Sequence, residues 1–511
     1  MCNPVDPGYP VHLRRSRARQ WSPCAAAALL LGGILATPTW ATPPTPIADG
    51  PGTAPAFIGA PAVPQRVRAP SPPRHPFMAK NGRSNIHDDA YMTDTYRTPG
   101  PLGTNPERLT SALGGVCGSV TFDRHGRLIT LCVSLLARTL VLIDPDTLDT
   151  LASYSLPPAS SFGGFQDFSG GGYFYLDDRD RAIIPTTTHH IFVVALAHGA
   201  SGTAFSLERD YDLTSVIPDT DKTTSCLPDW SGRIWFVTLH GVVGVVDPGS
   251  GAVQAISLGE DIENSFAVDE TGGVFIVSDV ALYRFDPDGG GAPTITWREV
   301  YPNSGIHKPG QVNAGSGTTP TLMGPDWVAI ADNADPMDVV VYRRAKQVEG
   351  SRLVCAQAVF APGASATENS LIGAGRAMIV ENNYGYTGPA DTSGGLTTQP
   401  GIARVDIDDD EGGCHLVWQS NERAPTVVPK LSLQTGLVYT YTKDPEPQGS
   451  AVDRWYLTAI DFQSGETRWK RLGGLGTAFN NNYAPVTLGP NNAAYVGVIG
   501  GIVRLADTRA R

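Results

Sequence analysis

One sequence unit recurs along most of this chain, and the repeat limits the possible folds more than any other feature. Each copy holds a segment that opens with small or polar residues, a Gly/Asp turn, and a β-branched, aromatic segment. A third segment ending in Asp-Pro or Asp and a more polar fourth segment follow. Apolar positions alternate within the copies and no segment keeps a helical period, so the chain is predicted to be all-β. The clearest copies span residues 119–157, 225–259, 264–300 and 430–474.

A four-stranded unit repeated about every 40–55 residues is typical of a β-propeller. Divergent copies near Gly171, Thr318, Asn369 and Tyr483 bring the prediction to eight blades, with seven blades and one inserted copy as the alternative. The last copy leaves room for only three strands. An N-terminal strand, expected around residues 88–97, would complete that blade and close the ring, since an open ring exposes sheet edges.

The N-terminal part predicts export. Four arginines precede a short apolar run, residues 25–36, and small residues follow up to Ala41. This order is typical of a secretory signal, here residues 1–41, and places the protein outside the cell or in the periplasm. Residues 42–84 are rich in proline and are expected to form a disordered linker, with the propeller at 85–511. No later apolar run is long enough to suggest a transmembrane segment.

The net charge bears on the possible partners, and the cysteine positions bear on the possible disulfides. A net charge of -12 disfavours nucleic acid as a partner, because nucleic-acid binding requires a basic surface. Cys117 and Cys132 flank the turn at residues 123–126 symmetrically, so they are expected to form a disulfide across a hairpin. Cys355 with Cys414 is a weaker pairing, and the fifth cysteine after the signal leaves an odd count.

The stretch Tyr456–Trp469 carries Ala-Ile-Asp, then Ser-Gly, then Trp. It resembles the repeat of the quinoprotein alcohol dehydrogenase-like propellers, and residues 140–145 and 243–251 resemble it more weakly. The resemblance implies the fold over most of the chain. Those dehydrogenases typically stack pyrroloquinoline quinone against a vicinal Cys-Cys disulfide, which this chain lacks, so the quinone is not expected here.

The same short sequence begins two copies, Glu263-Asn264-Ser265 and Glu368-Asn369-Ser370. In a propeller the start of each inner strand lies at one mouth of the central channel, so these side chains and Asn481 are expected to converge there. Carboxylate and amide oxygens suit Ca²⁺. The set is similar to the calcium ligands of the gluconolactonase and paraoxonase propellers, although those usually have six blades and an Asp ligand. The alternative is that these side chains bind loops and tie the ring together.

His87 and His307 are the candidate general bases, because imidazole titrates near neutral pH. The leading functional hypothesis is an exported enzyme that hydrolyses a small ester or lactone at the channel mouth with the help of Ca²⁺. One alternative is a quinoprotein-type oxidoreductase. The other is a propeller that binds or assembles partners without catalysis.

Overall fold

The computed structural model describes residues 41–134, 137–158, 169–199, 202–409, 412–447 and 449–508. Apart from Ala41, the predicted signal peptide lies outside these residues. Within them, no helix is both long and apolar enough to cross a bilayer.

The described strands form eight antiparallel sheets arranged as the blades of a propeller, which confirms the predicted fold and blade number. The first strand of each copy is innermost and buried, whereas the fourth alternates buried and exposed positions. From the channel outwards, blades 1 to 4 consist of Val116–Phe122, Leu128–Val133, Arg138–Ile143 and Thr150–Ser155; Tyr175–Leu176, Ala182–Pro185, His190–Gly199 and Gly202–Asp212; Thr223–Pro228, Ile234–Thr238, Val242–Val246 and Val253–Ser257; Ala267–Val268, Val274–Val277, Ala281–Pro287 and Pro293–Val300.

Blade 7 carries two additional short strands, Thr95–Tyr96 on its inner edge and Phe57–Gly59 on its outer edge. Two 3₁₀ turns, Pro389–Thr392 and Thr477–Phe479, lie in loops. From the channel outwards, blades 5 to 8 consist of Thr321–Met323, Trp327–Ala331, Asp338–Arg343 and Leu353–Ala358; Ile372–Ala374, Ala377–Glu381, Ile402–Ile407 and Cys414–Ser420; Lys430–Ser432, Leu437–Thr442, Arg454–Asp461 and Thr467–Leu475; Val486–Leu488, Ala494–Val498, Gly501–Asp507 and Pro106–Ala112.

The Gly/Asp turn of the repeat has a direct structural reason. In blade 1 the Asp123 carboxylate accepts the backbone N–H groups of His125 and Arg127, at 2.9 Å each. Such bonds satisfy the N–H groups of a tight turn, while Gly126 takes the positive φ that the turn requires. Asp177, Asp229 and Asp269 make the equivalent bonds in blades 2 to 4.

An N-terminal strand closes the ring, but it is not the segment that the sequence suggested. Pro106–Ala112 pairs with the C-terminal strand Gly501–Asp507 and forms the outer strand of blade 8. Its alternating exposure suits an outer strand. Residues 88–97, predicted for this position, lie instead at the inner edges of the blades, where their polar side chains are mostly buried.

Residues 42–84, predicted to be a disordered linker, make regular contacts with the ring. Thr42 forms a bridge with Thr150 of blade 1, and Phe57–Gly59 adds a strand to blade 7. The prolines lack N–H donors, but neighbouring residues such as Ala60 donate to ring carbonyls, here that of Arg468 at 3.2 Å. These contacts dock the proline-rich segment on the ring.

Residues 75–97, which we call the strap, pass along the inner edges of the blades. On blades 4 to 7 the inner strands donate backbone hydrogen bonds to the strap. The donors and acceptors are Val268 to Ala90, Leu322 to Tyr91, Gly373 to Thr93 and Leu431 to Asp94, at 2.8–3.0 Å.

The strap also meets the other four blades. In blade 1 the hydroxyl of Thr121 donates to Arg83 O, and in blade 2 the N–H of Leu176 donates to Ser84 O. The His75 ring packs against Trp230 of blade 3 with ring centroids 4.1 Å apart, and Tyr96 is hydrogen-bonded to the backbone of Leu488 in blade 8. The strap thus contacts all eight blades near the first hairpin turns and forms a floor across one end of the channel.

Two disulfides reinforce the ring. Cys117 and Cys132 are bonded within blade 1, the pairing that their spacing predicts. Cys355 and Cys414 join the outer strands of blades 5 and 6. Cys226 is a buried free thiol.

Candidate functional site

A cavity of about 210 Å³ lies on the channel axis, and we call it the cup. Its walls come from the starts of the inner strands and the loops that lead into them, and its floor includes Ile86 and His87 of the strap. Every blade contributes to the lining, in chain order through Gly118, Tyr173, Thr224, Asn264, Val312, Glu368, Val428 and Tyr483.

Glu263 and Glu368 meet in the wall of the cup. They precede the inner strands of blades 4 and 6, and their side chains are hydrogen-bonded to each other. Glu368 Oε2 accepts the N–H of Val312 at 3.1 Å, and Oε1 accepts the side-chain amide of Asn264 at 3.4 Å. Oxygen Oε2 of Glu263 is buried and has no partner among the described residues.

These contacts give the two carboxyls different protonation. Burial raises the pKa of both groups, and the charge of Glu368 raises the pKa of Glu263 further. The Val312 N–H and the bonds from Glu263 and Asn264 stabilise the ionised form of Glu368. Burial and mutual repulsion therefore favour a protonated carboxyl in the pair, and the contacts of Glu368 favour retention of the proton by Glu263.

His87 brings an imidazole to the floor of the cup. Its Nδ1 lies 3.0 and 3.1 Å from the two carboxylate oxygens of Asp94. The ammonium of Lys430 contacts the same carboxylate, and all three side chains are buried. An imidazole that donates Nδ1–H to a carboxylate presents Nε2 as an acceptor. That Nε2 has no partner among the described residues.

Tyr173 connects the imidazole with the carboxyl pair. Its ring stacks on His87 with centroids 6.4 Å apart, and its hydroxyl donates to Asn264 Oδ1 at 2.7 Å. Asn264 in turn donates to Glu368. These contacts fix both functional groups relative to one another.

Other candidates from the sequence have different surroundings. Asn369 lines the cup and donates to Val427 O at 2.8 Å. Asn481 is buried against Thr426 and Ala484 and does not line the cup. His307 also lies outside the lining, with Nε2 2.6 Å from Gln311 O in the loop before blade 5.

Sequence reasoning missed Asp94 and Tyr173. Tyr173 follows Gly171, which the alignment of repeats already placed at the channel mouth, so its position was accessible from sequence. Asp94 lies in a segment without periodicity, and only the folded strap brings it to His87.

The donors around the carboxyl pair fit a shared proton better than a calcium ion. Both oxygens of Glu368 accept N–H groups, and Asn264 turns its amide nitrogen, not its oxygen, toward the pair. Calcium takes six to eight oxygen ligands. Within the described part of the chain, no three His, Cys, Asp or Glu side chains form a metal-binding group. Calcium binding stays a prediction.

No family model matches the sequence. An uncharacterised protein of Archaeoglobus fulgidus is 31% identical over 312 residues, which cover 54% of this chain and 59% of that protein. The chain thus spans about three fifths of the length of this relative.

Solved structures with a similar arrangement of strands have low sequence identity. BamB from Moraxella catarrhalis is 12% identical with a TM-score of 0.40, covering 64% of this chain and 93% of its own. A streptogramin B lyase is 9% identical with a TM-score of 0.38, covering 78% and 96%. Sqt1 of Chaetomium thermophilum, bound to the N-terminus of ribosomal protein L10, is 10% identical with a TM-score of 0.44, covering 75% and 94%.

Proposed function

We propose that this protein is an exported enzyme that hydrolyses a small ester or lactone in the cup. One observation carries the proposal: an imidazole whose buried Nε2 has no partner among the described residues and a hydrogen-bonded carboxyl pair line the same small cavity. A base and an acid in one enclosed site are the groups that acyl hydrolysis requires. The signal-like N-terminal sequence supports export.

In this mechanism His87 Nε2 takes a proton from water as the water oxygen bonds to the substrate carbonyl carbon. Asp94 keeps the proton on Nδ1 and stabilises the imidazolium that forms. The Glu263 O–H leaves its hydrogen bond with Glu368 and donates instead to the developing oxyanion. The carbon–oxygen bond of the ester then breaks, and the imidazolium returns its proton to the leaving alkoxide, so the acid and the alcohol are released.

The test is a panel of small lactones and aryl esters, assayed with the full-length protein. His87→Gln and Glu263→Leu should each lower kcat/KM about 100-fold, since the first removes the general base and the second removes the donor to the oxyanion. His307→Gln is the matched control, because His307 lies outside the cup, and its activity should equal that of the wild type.

Two results would contradict the proposal: no turnover across the panel, or full activity of His87→Gln. The assay is repeated after dialysis against EDTA and again with added Ca²⁺. An unchanged rate supports the shared proton, whereas loss and recovery with Ca²⁺ would support the calcium prediction and contradict a metal-free mechanism.

A propeller that binds a partner without catalysis is the second candidate. Large apolar side chains are exposed on the outer strands of blades 4 to 6, among them Val300 at 62% and Leu353 at 44%. Exposed apolar side chains on neighbouring elements favour protein contacts. Absence of turnover together with capture of a defined protein partner through these strands would favour this function.

A further inference from the structure

A second cavity, of about 480 Å³, lies on blade 7 away from the cup. Inner strand Lys430–Ser432 begins near Val428, which lines the cup, and ends at the turn that borders this cavity. The cavity is therefore on the strap side of the ring. Three arginines line it, Arg66, Arg68 and Arg97, and we call it the arginine cleft.

The backbone of the cleft is fixed on both sides of the turn. Gln65 N–H donates to Thr435 O at 2.8 Å, and Val67 N–H donates to Leu433 O at 2.9 Å. Side chains alternate along extended backbone, so Arg66 and Arg68 project to the same side. On the other side, Leu433 N–H donates to Tyr96 O at 2.8 Å and holds the residue before Arg97.

The Arg97 guanidinium also reaches across the cleft and donates to Ala69 O at 3.4 Å. Arg66 lies before the strap and Arg97 is its last residue, yet both line the same cavity. The sequence placed Arg66 and Arg68 in a linker, so this convergence exists only in the fold.

The cleft differs in charge from the arginine sites elsewhere in the ring. In the blades, arginines such as Arg127 and Arg404 bind carboxylates of their own hairpins, Asp123 and Asp406. The residues that line the cleft include no carboxylate. The three arginines are exposed, and an anion bound in the cavity that they line would be attracted to their like charges. The cleft keeps this positive charge in a chain of net charge -12.

We propose that the arginine cleft binds a phosphate group, either as the free anion or as the headgroup of an anionic phospholipid. Guanidinium groups bind phosphate through paired N–H donors in a fixed planar fork. Donors that arrive from two sides suit the oxygens of a tetrahedral anion. The site is independent of the cup and of its reaction.

Two measurements on the full-length protein separate the sources of the phosphate. Titration calorimetry with inorganic phosphate tests the free anion. Co-sedimentation with phosphatidylglycerol vesicles, compared with phosphatidylcholine vesicles, tests the headgroup. Binding in either measurement should weaken at least tenfold in the triple variant R66Q/R68Q/R97Q and should weaken with added salt.

Arg74→Gln is the matched control, because Arg74 is an exposed arginine of the same N-terminal segment that does not line the cleft. Its affinity should stay within twofold of the wild type. A thermal melt of each variant checks folding. The proposal fails if the wild type binds neither phosphate nor anionic vesicles, or if the folded triple variant binds as well as the wild type.

Discussion

Asp94 of the strap and the two glutamates of the cup are buried carboxyl groups with different surroundings. Asp94 of the strap is enclosed by His87 and the buried ammonium of Lys430. In the cup, Glu263 and Glu368 face each other and share a proton. In the first arrangement a fixed cation neutralises the charge of the carboxylate. In the second, a protonated carboxyl can donate a hydrogen bond or release its proton.

A second buried carboxylate, Asp269, also has a cation as its partner, beside Tyr91 of the strap. Asp269 contacts the buried guanidinium of Arg344, and Arg344 also bonds Tyr91 and Glu270. Such compensated groups are expected in structural networks. Carboxyls with raised pKa values in a cavity are instead typical of functional sites. At Asp94 and Asp269 a buried cation therefore compensates the carboxylate, whereas no cation contacts the carboxyl pair of the cup among the described residues.

The largest expected effect comes from removing the cation that neutralises Asp94. Lys430→Met should leave the Asp94 carboxylate buried without its cation and lower the free energy of unfolding by about 3–5 kcal/mol. Denaturant unfolding measures the change. Lys346→Met is the control: Lys346 is largely exposed and binds Asp286, so it should cost less than about 1 kcal/mol. Equal losses in the two variants would contradict the distinction.

A smaller effect depends on pH and concerns the cup. Burial raises the pKa of Glu263 and Glu368 in the folded protein, so the folded state holds protons that the unfolded state has already released. Their stabilising contribution is complete below the ordinary glutamate pKa and is lost as pH rises toward the folded values. The wild type should lose about 1.4 kcal/mol of stability between pH 5 and 6 relative to E263Q/E368Q, and should go on losing stability above pH 6. Parallel pH profiles from denaturant unfolding would refute the shared proton.

The smallest expected effect concerns Tyr173, which connects His87 with the carboxyl pair. Tyr173→Phe removes the hydroxyl that donates to Asn264, and should reduce stability by about 1 kcal/mol. It should also lower kcat in the ester assay, because the carboxyl pair loses its positioning contact. Tyr154→Phe, on the outer strand of blade 1, should change neither quantity.

The sequence predicted those features that repeat. Blade number and the approach of Glu263 to Glu368 followed from aligned copies, because each blade is built from local hairpins with the same turn chemistry. The strap could not be predicted in this way. Its residues carry no period, and Lys430 bonds Ile86 across 344 positions of sequence. The ring-closing strand was placed too early in the sequence for the same reason.

The strap also affects the order in which parts of the chain can fold. Residues 90–96 need inner strands as distant as Lys430–Ser432 before their carbonyls have partners, so an emerging chain makes the N-terminal floor last. A ring interrupted before blade 7 could still bring Glu263 near Glu368, but His87 and Asp94 would lack the Lys430 that secures them. In the proposed mechanism, a chain that ends before the seventh blade therefore lacks a secured general base and should not hydrolyse esters.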